Sequence, residues 1–177
     1  MGKILICYFS TGGEDIGAGE NKEVGNTAVM AGLIADKLTA ESHDVTSFRI
    51  QPANPYPSSY DQKLARAMEE RSMQERPEYV EDAADFDDYD TVFIGYPIWC
   101  SDLPMIVYNF LEKHVFTGKV VIPFCTHGGS GESDTFRIVR EKAVGSAPGE
   151  GLAIPGNLVD KPGGKKQVDH WLEQLAV

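Results

Sequence analysis

The sequence predicts a doubly wound α/β domain on a parallel sheet, and three observations carry that prediction. Near-continuous apolar runs open the chain at Lys3-Ile4-Leu5-Ile6-Cys7-Tyr8-Phe9 and recur at Thr91-Val92-Phe93-Ile94-Gly95-Tyr96 and at residues 119–125. Strands covered on both faces read this way, without alternation. Between the runs, apolar residues recur at helical spacing, and strand and helix patterns alternate to the end with no repeat or linker. Residues 1–177 therefore read as one domain with five strands, each followed by a helix.

Each element has its own signal. After the first strand, residues 14–24 are polar and glycine-rich, hence a loop. Met30, Leu33, Ile34 and Leu38 then mark the first helix, with Asn26 or Thr27 as its cap. Residues 45–50 form a second strand with one wetter face, which suits a sheet edge. Three prolines in residues 51–59 make a crossing loop. A helix follows on Tyr60, Leu64, Ala67 and Met68 and runs to about Arg76, where Pro77 stops it. The acidic stretch up to Asp90 reads as loop.

The third strand ends in the turn Pro97-Ile98-Trp99-Cys100-Ser101-Asp102. The next helix starts at Pro104 and buries Ile106, Val107, Phe110, Leu111 and His114, with His114 meeting the helix dipole. Pro123 inside the fourth strand lacks a donor, so it is expected near a bulge or the strand end. A helix is expected over residues 132–143 and a short fifth strand over 151–154. Val168, Trp171, Leu172 and Leu175 mark the last helix.

Composition narrows the function classes. The net charge is −11, and seven acids with no base fall between Glu78 and Asp90. Nucleic-acid binding runs on basic patches, so it is disfavoured. The acidic surface suits basic protein partners or serves solubility. No apolar run approaches the roughly 20 residues of a membrane span, and the chain opens directly on a strand, so it reads as cytoplasmic. Cys7, Cys100 and Cys125 have neither disulfide nor zinc spacing. Cys7 and Cys125 read as buried hydrophobes, Cys100 as a loop thiol.

In a doubly wound sheet, ligands bind beyond the carboxyl ends of the strands, where the strand order reverses. Three loops converge there. Ser10 and Thr11 with Gly25, Asn26 and Thr27 offer hydroxyls and free amides at a helix start, a phosphate cradle without lysine or arginine. Tyr96, Pro97, Ile98 and Trp99 offer a flat apolar surface. Thr126, His127, Gly128, Gly129 and Gly131 let backbone amides approach a polar ring edge, with His127 either a proton donor or a cap for its own loop. A phosphate joined to a large planar heterocycle describes flavin mononucleotide (FMN). The chain lacks a P-loop, a first-turn G-x-G-x-x-G, a G-x-S-x-G elbow and the acidic strand ends of a phospho-acceptor receiver.

These pieces, Tyr8-Phe9-Ser10, Gly25-Asn26-Thr27, Gly95-Tyr96-Pro97-Ile98-Trp99 and residues 123–131, resemble the flavodoxins and flavodoxin-like FMN proteins over essentially the whole chain. The resemblance implies strand order 2-1-3-4-5 and bound FMN. It places the phosphate on Ser10, Thr11, Asn26 and Thr27, the ring between Pro97, Ile98 and Trp99, and residues 126–131 over the pyrimidine edge. Two features depart from the family pattern. Residues 12–24 intervene between the halves of the phosphate loop. Cys100-Ser101-Asp102 stands where many flavodoxins keep a glycine beside the flavin N5, and a non-glycine residue resists positive φ. The implied function is electron transfer between redox proteins with basic docking surfaces. The alternative is an NAD(P)H-dependent FMN oxidoreductase acting on quinones, azo or nitro compounds.

Overall fold

Five parallel strands, β1 (Lys3–Tyr8), β2 (Asp44–Arg49), β3 (Thr91–Pro97), β4 (Val120–His127) and β5 (Leu152–Pro155), lie side by side in the order 2-1-3-4-5. The computed structural model describes residues 2–14, 21–175 and 177. Helices α1 (Asn26–Ala40), α2 (Tyr60–Ser72), α3 (Met105–Lys113), α4 (Thr135–Lys142) and α5 (Pro162–Gln174) follow the strands in turn. β1 and β3 run in register from Ile4 opposite Thr91 to Tyr8 opposite Gly95. Two residues from the intervening loop, Ala147–Pro148, add a short parallel pairing to the start of β4. A two-residue antiparallel ladder, Gly13–Glu14 with Asn21–Lys22, stands apart from the sheet.

The period-2 alternation of the strands sends successive side chains to opposite layers. Ile4, Ile6, Phe93, Ile122, Phe124 and Ile154 pack under α1 and α5. Leu5, Cys7, Phe9, Val92, Ile94, Tyr96 and Cys125 pack under α2, α3 and α4. Both faces of the sheet are thus covered, which is why β1, β3 and β4 read as unbroken apolar sequence. Among the described residues no helix is long and apolar enough to cross a membrane.

Several elements differ from the expectation for stated reasons. Pro123 sits mid-strand, opposite Ile94 on the β3 side. It is tolerated because the other flank is broken there: the ladder pairs Val121 with Pro148 and resumes at Phe124 with Leu152. α4 starts at Thr135, since Ser133 (φ 49°) and Asp134 (φ 64°) are left-handed and cannot continue a right-handed helix. α2 ends at Ser72, and its buried face is Lys63, Ala67 and Glu70, while Met68 is exposed. Both charged groups are buried with partners: Lys63 Nζ donates to Gly12 O (2.8 Å), and Glu70 accepts from Tyr56 OH (2.7 Å) and Arg66 Nε (2.9 Å). His114 is the C-cap of α3, its Nδ1 donating to Phe110 O at 2.8 Å.

Candidate functional site

The carboxyl edge of the sheet gathers the ends of β1, β3 and β4 around the start of α1. Gly25, not Asn26 or Thr27, is the N-cap of α1, and it carries no side chain to cap with. Ser10 does that work from the start of the same β1–α1 connection: its Oγ accepts from Ala28 N at 3.1 Å. Only a glycine permits this approach, because a Cβ at position 25 would fall well inside contact distance of Ser10 Oγ and Thr11 O. Ser10 Oγ thus serves as acceptor for the first turn of α1, where the positive end of the helix favours an anion.

Thr27 and Thr126 share a buried hydrogen bond between their hydroxyls (2.8 Å), which ties the start of α1 to the end of β4. Thr126 O in turn accepts from Ile98 N (2.9 Å) in the loop after β3. One chain of contacts therefore joins Ser10, Gly25, Thr27, Thr126 and Ile98, residues drawn from all three predicted loops. Pro97 and Ile98 are buried at the end of β3, whereas Gly128 and Gly129 are exposed and Gly131 half-buried.

Two aromatic residues sit deeper than their motif suggested. The Trp99 indole is 2% exposed, so the expectation of an open aromatic plate is corrected. Its ring stands edge-on to Phe9 (5.1 Å between centroids) and Tyr56 (4.9 Å), which fill its apolar faces. Its Nε1 is a buried donor with no hydrogen-bond partner among the described residues. The Tyr96 side chain is fully buried; its hydroxyl donates to Thr135 Oγ1 (2.8 Å), anchoring the start of α4. Tyr96 offers the site its backbone alone.

Cys100 (φ 53°) and Ser101 (φ 58°) both occupy the left-handed region that their residue types resist. They are the two central residues of a tight turn closed on both sides, Trp99 N donating to Asp102 O and Asp102 N to Trp99 O, each at 3.0 Å. Asp102 holds the turn further by accepting from Leu103 N (2.7 Å) and Tyr108 OH (2.7 Å). The Cys100 thiol is raised above its ordinary pKa, mainly by burial, so it is a thiol rather than a thiolate.

Three cations that the motif does not announce touch the cradle. Lys22 Nζ donates to Asn26 Oδ1 (2.7 Å) and pairs with Asp160 (3.4 Å); Arg49 Nη2 donates to Ser10 O (3.2 Å); Lys63 Nζ holds Gly12 O. The expectation of a cradle without basic residues is corrected on this point. Lys22 lies in the intervening loop, Arg49 at the end of the edge strand and Lys63 in α2. Their spacing forms no motif; the wet face of β2 is the one available signal. A cavity of about 320 Å³ opens beside Thr11, Gly12, Gly13, Arg49 and Tyr56. Among the described residues no His/Cys/Asp/Glu group could hold a metal.

This edge, with its helix-start cradle and glycine-rich third loop on a 2-1-3-4-5 sheet, defines a flavodoxin-like α/β protein. The chain belongs to the flavodoxin family, whose model, described as Flavodoxin, matches residues 3–175. Among solved structures, a provisionally named flavoprotein from Bacteroides eggerthii is 30% identical, with a TM-score of 0.77 over 100% of this chain and 99% of its own. A similarly named protein from Bacteroides uniformis is also 30% identical (TM-score 0.76, 98% and 99% covered). A flavoprotein from Lactobacillus acidophilus, solved in complex with FMN, shares the fold at 20% identity (TM-score 0.66, 97% and 99% covered). No curated protein matches.

Proposed function

We propose that this protein binds FMN at the carboxyl edge of its sheet and carries electrons between redox partners. The observation that carries the reading is the junction of Ser10, Gly25, Thr27, Thr126 and Ile98, which brings a helix-start anion cradle against two loops able to hold a planar ring. The FMN complex of the Lactobacillus acidophilus relative supports the choice of ligand. The residues present fit it: the cradle at Gly25 has no room for a Cβ, its donors are hydroxyls and amides, and Trp99 Nε1 is a buried donor without a partner among the described residues.

When bound, FMN supplies the redox chemistry, and the protein binds and orients it. Ser10, Thr11 and Thr27 with the α1 amides would hold the phosphate, and Lys22 and Arg49 would bring positive charge to the same loop. Pro97 and Ile98 would flank the ring with Trp99 packed behind them, and residues 126–131 would cover its polar edge. A basic redox partner would meet acids at this edge. Glu69, Glu70, Glu75 and Glu78 line a cavity of about 390 Å³ with Arg66, next to Ala53 and Asn54 beyond β2. Asp88 and Asp90 instead bond Lys3 at the opposite edge, so the acidic run serves two ends of the sheet.

One observation favours the oxidoreductase reading: Trp99 is buried, so its indole would not cover the ring and would leave a face on which a nicotinamide could stack. Reconstitution with excess FMN tests binding; quenched fluorescence and a bound yellow chromophore are expected, and free-FMN behaviour would overturn the reading. Anaerobic mixing of the holoprotein with NADH or NADPH separates the two functions. The carrier bleaches only when a separate reductase is added, while direct fast bleaching identifies the enzyme.

A further inference from the structure

His127 lies at the end of β4, paired with Pro155 of β5, and its carbonyl accepts from Gly156 N at 2.8 Å. The residue is 8% exposed. Two backbone amides of the following loop converge on one ring nitrogen: Gly129 N donates to Nδ1 at 3.0 Å and Gly131 N at 3.2 Å. Amide N–H groups donate without ambiguity, so Nδ1 carries a lone pair and the ring proton sits on Nε2. Gly129 (φ 128°) and Gly131 (φ 69°) adopt the positive φ values that let both amides aim at a single atom. The glycines expected to meet a ligand edge therefore spend their amides on His127.

We propose that His127 is the clasp of the loop that closes this site, holding it formed while the imidazole is neutral and releasing it when Nδ1 takes up a proton. A proton there turns the acceptor into a donor facing two other donors, and both bonds are lost. No new covalent bond is involved. His127 is a positioning residue: it shapes the loop, and the effect on FMN affinity rests on the FMN reading above.

The charge environment sets the direction. Burial lowers the His127 pKa from its ordinary 6.5, and Glu132 opposes that to a smaller extent. Across the sheet His127 meets the uncharged Pro155 and Gly156 of the β5 end, and the preceding Thr126 meets Pro97, Ile98 and Thr27; among the described residues Glu132 is the charge that acts on the ring. With the folded-state pKa depressed, the neutral ring is favoured in the native protein. The clasp is complete above 6.5 and is lost as pH falls through the lowered value.

The test uses the apoprotein first. Nitrogen-15 spectra of His127 and exchange rates of the Gly129 and Gly131 amides are recorded from about pH 8 to about pH 5. The expected result is an Nε2–H tautomer at neutral pH and joint loss of protection at both glycines as His127 titrates. His127→Asn, whose Oδ1 can accept in place of Nδ1, keeps the protection at every pH, while His127→Leu lacks it throughout. An Nδ1–H tautomer at neutral pH, or glycine exchange indifferent to His127→Leu, overturns the proposal. FMN titrations then compare parent and His127→Asn over the same range, which cancels the titration of the phosphate itself. The parent should lose about tenfold more affinity than the variant toward acid pH, and parallel curves contradict a link to the site. If FMN does not bind at all, the binding reading fails while the amide exchange still decides the clasp.

Discussion

Replacing Gly25 with alanine tests the packing between β1's loop and α1. The Gly25 backbone (φ −66°, ψ 153°) is ordinary extended geometry, so alanine meets no conformational objection. The objection is steric: the new methyl would press on Ser10 Oγ and Thr11 O, with the Thr11 carbonyl carbon at 2.9 Å. Neither neighbour yields cheaply, since one is backbone and the other is bonded to Ala28 N. Overpacking of this kind costs about 1–3 kcal/mol, and the displaced Ser10 cap about 1 kcal/mol more. For a chain of this size that lowers Tm by roughly 10 °C. Gly32 supplies the control: it is exposed in the middle of the same helix, and a Cβ there would meet no atom within 4 Å, so Gly32→Ala gains about 0.5–1 kcal/mol. Thermal and urea unfolding of the apoproteins, followed by circular dichroism, read both. A Gly25→Ala protein as stable as the parent would refute the argued contact.

Three further outcomes are expected. Lys63→Met removes a buried charged donor from Gly12 O and should cost about 2 kcal/mol in urea unfolding, with FMN affinity falling alongside; unchanged stability would mean that α2 does not support the cradle. Trp99→Phe gives up buried area but also removes an unsatisfied donor, so its stability should stay within about 1 kcal/mol of the parent, and a loss of about 3 kcal/mol would show that the indole N–H has a partner in the apoprotein. Arg76, with Lys142, holds the Glu112 carboxyl below its ordinary 4.5, so its contribution is present above 4.5 and is lost as pH falls through the lowered value. Glu112→Gln should flatten the acid limb of the stability profile, weakly and in a salt-sensitive way because both side chains are about a third exposed; an identical acid limb would exclude the effect.

Much of the fold is legible because burial on two faces leaves a mark on sequence: Ile4 to Tyr8 and Thr91 to Tyr96 are apolar throughout since both layers need side chains from them. Long-range satisfaction leaves no such mark. Lys63 and Glu70 look like solvent-facing helix residues until Gly12 and Tyr56 arrive from other elements. Sequence points to Asn26 or Thr27 for the cap of α1, while the acceptor comes from Ser10, eighteen residues upstream of Ala28. Cys100 and Ser101 carry no glycine to announce positive φ; the reciprocal Trp99–Asp102 bonds and the Asp102 network impose it. The motif puts Trp99 in the right loop, but its depth depends on Phe9 and Tyr56.

If, as proposed, helix-start amides and hydroxyls grip the FMN phosphate at the carboxyl edge of the sheet, the anionic tail should govern affinity. Calorimetric titration of the apoprotein with FMN and with riboflavin, which lacks the phosphate, tests it most directly. One FMN per chain is expected, bound at least about 100-fold more tightly than riboflavin. Equal affinities, or no heat with either, would contradict it.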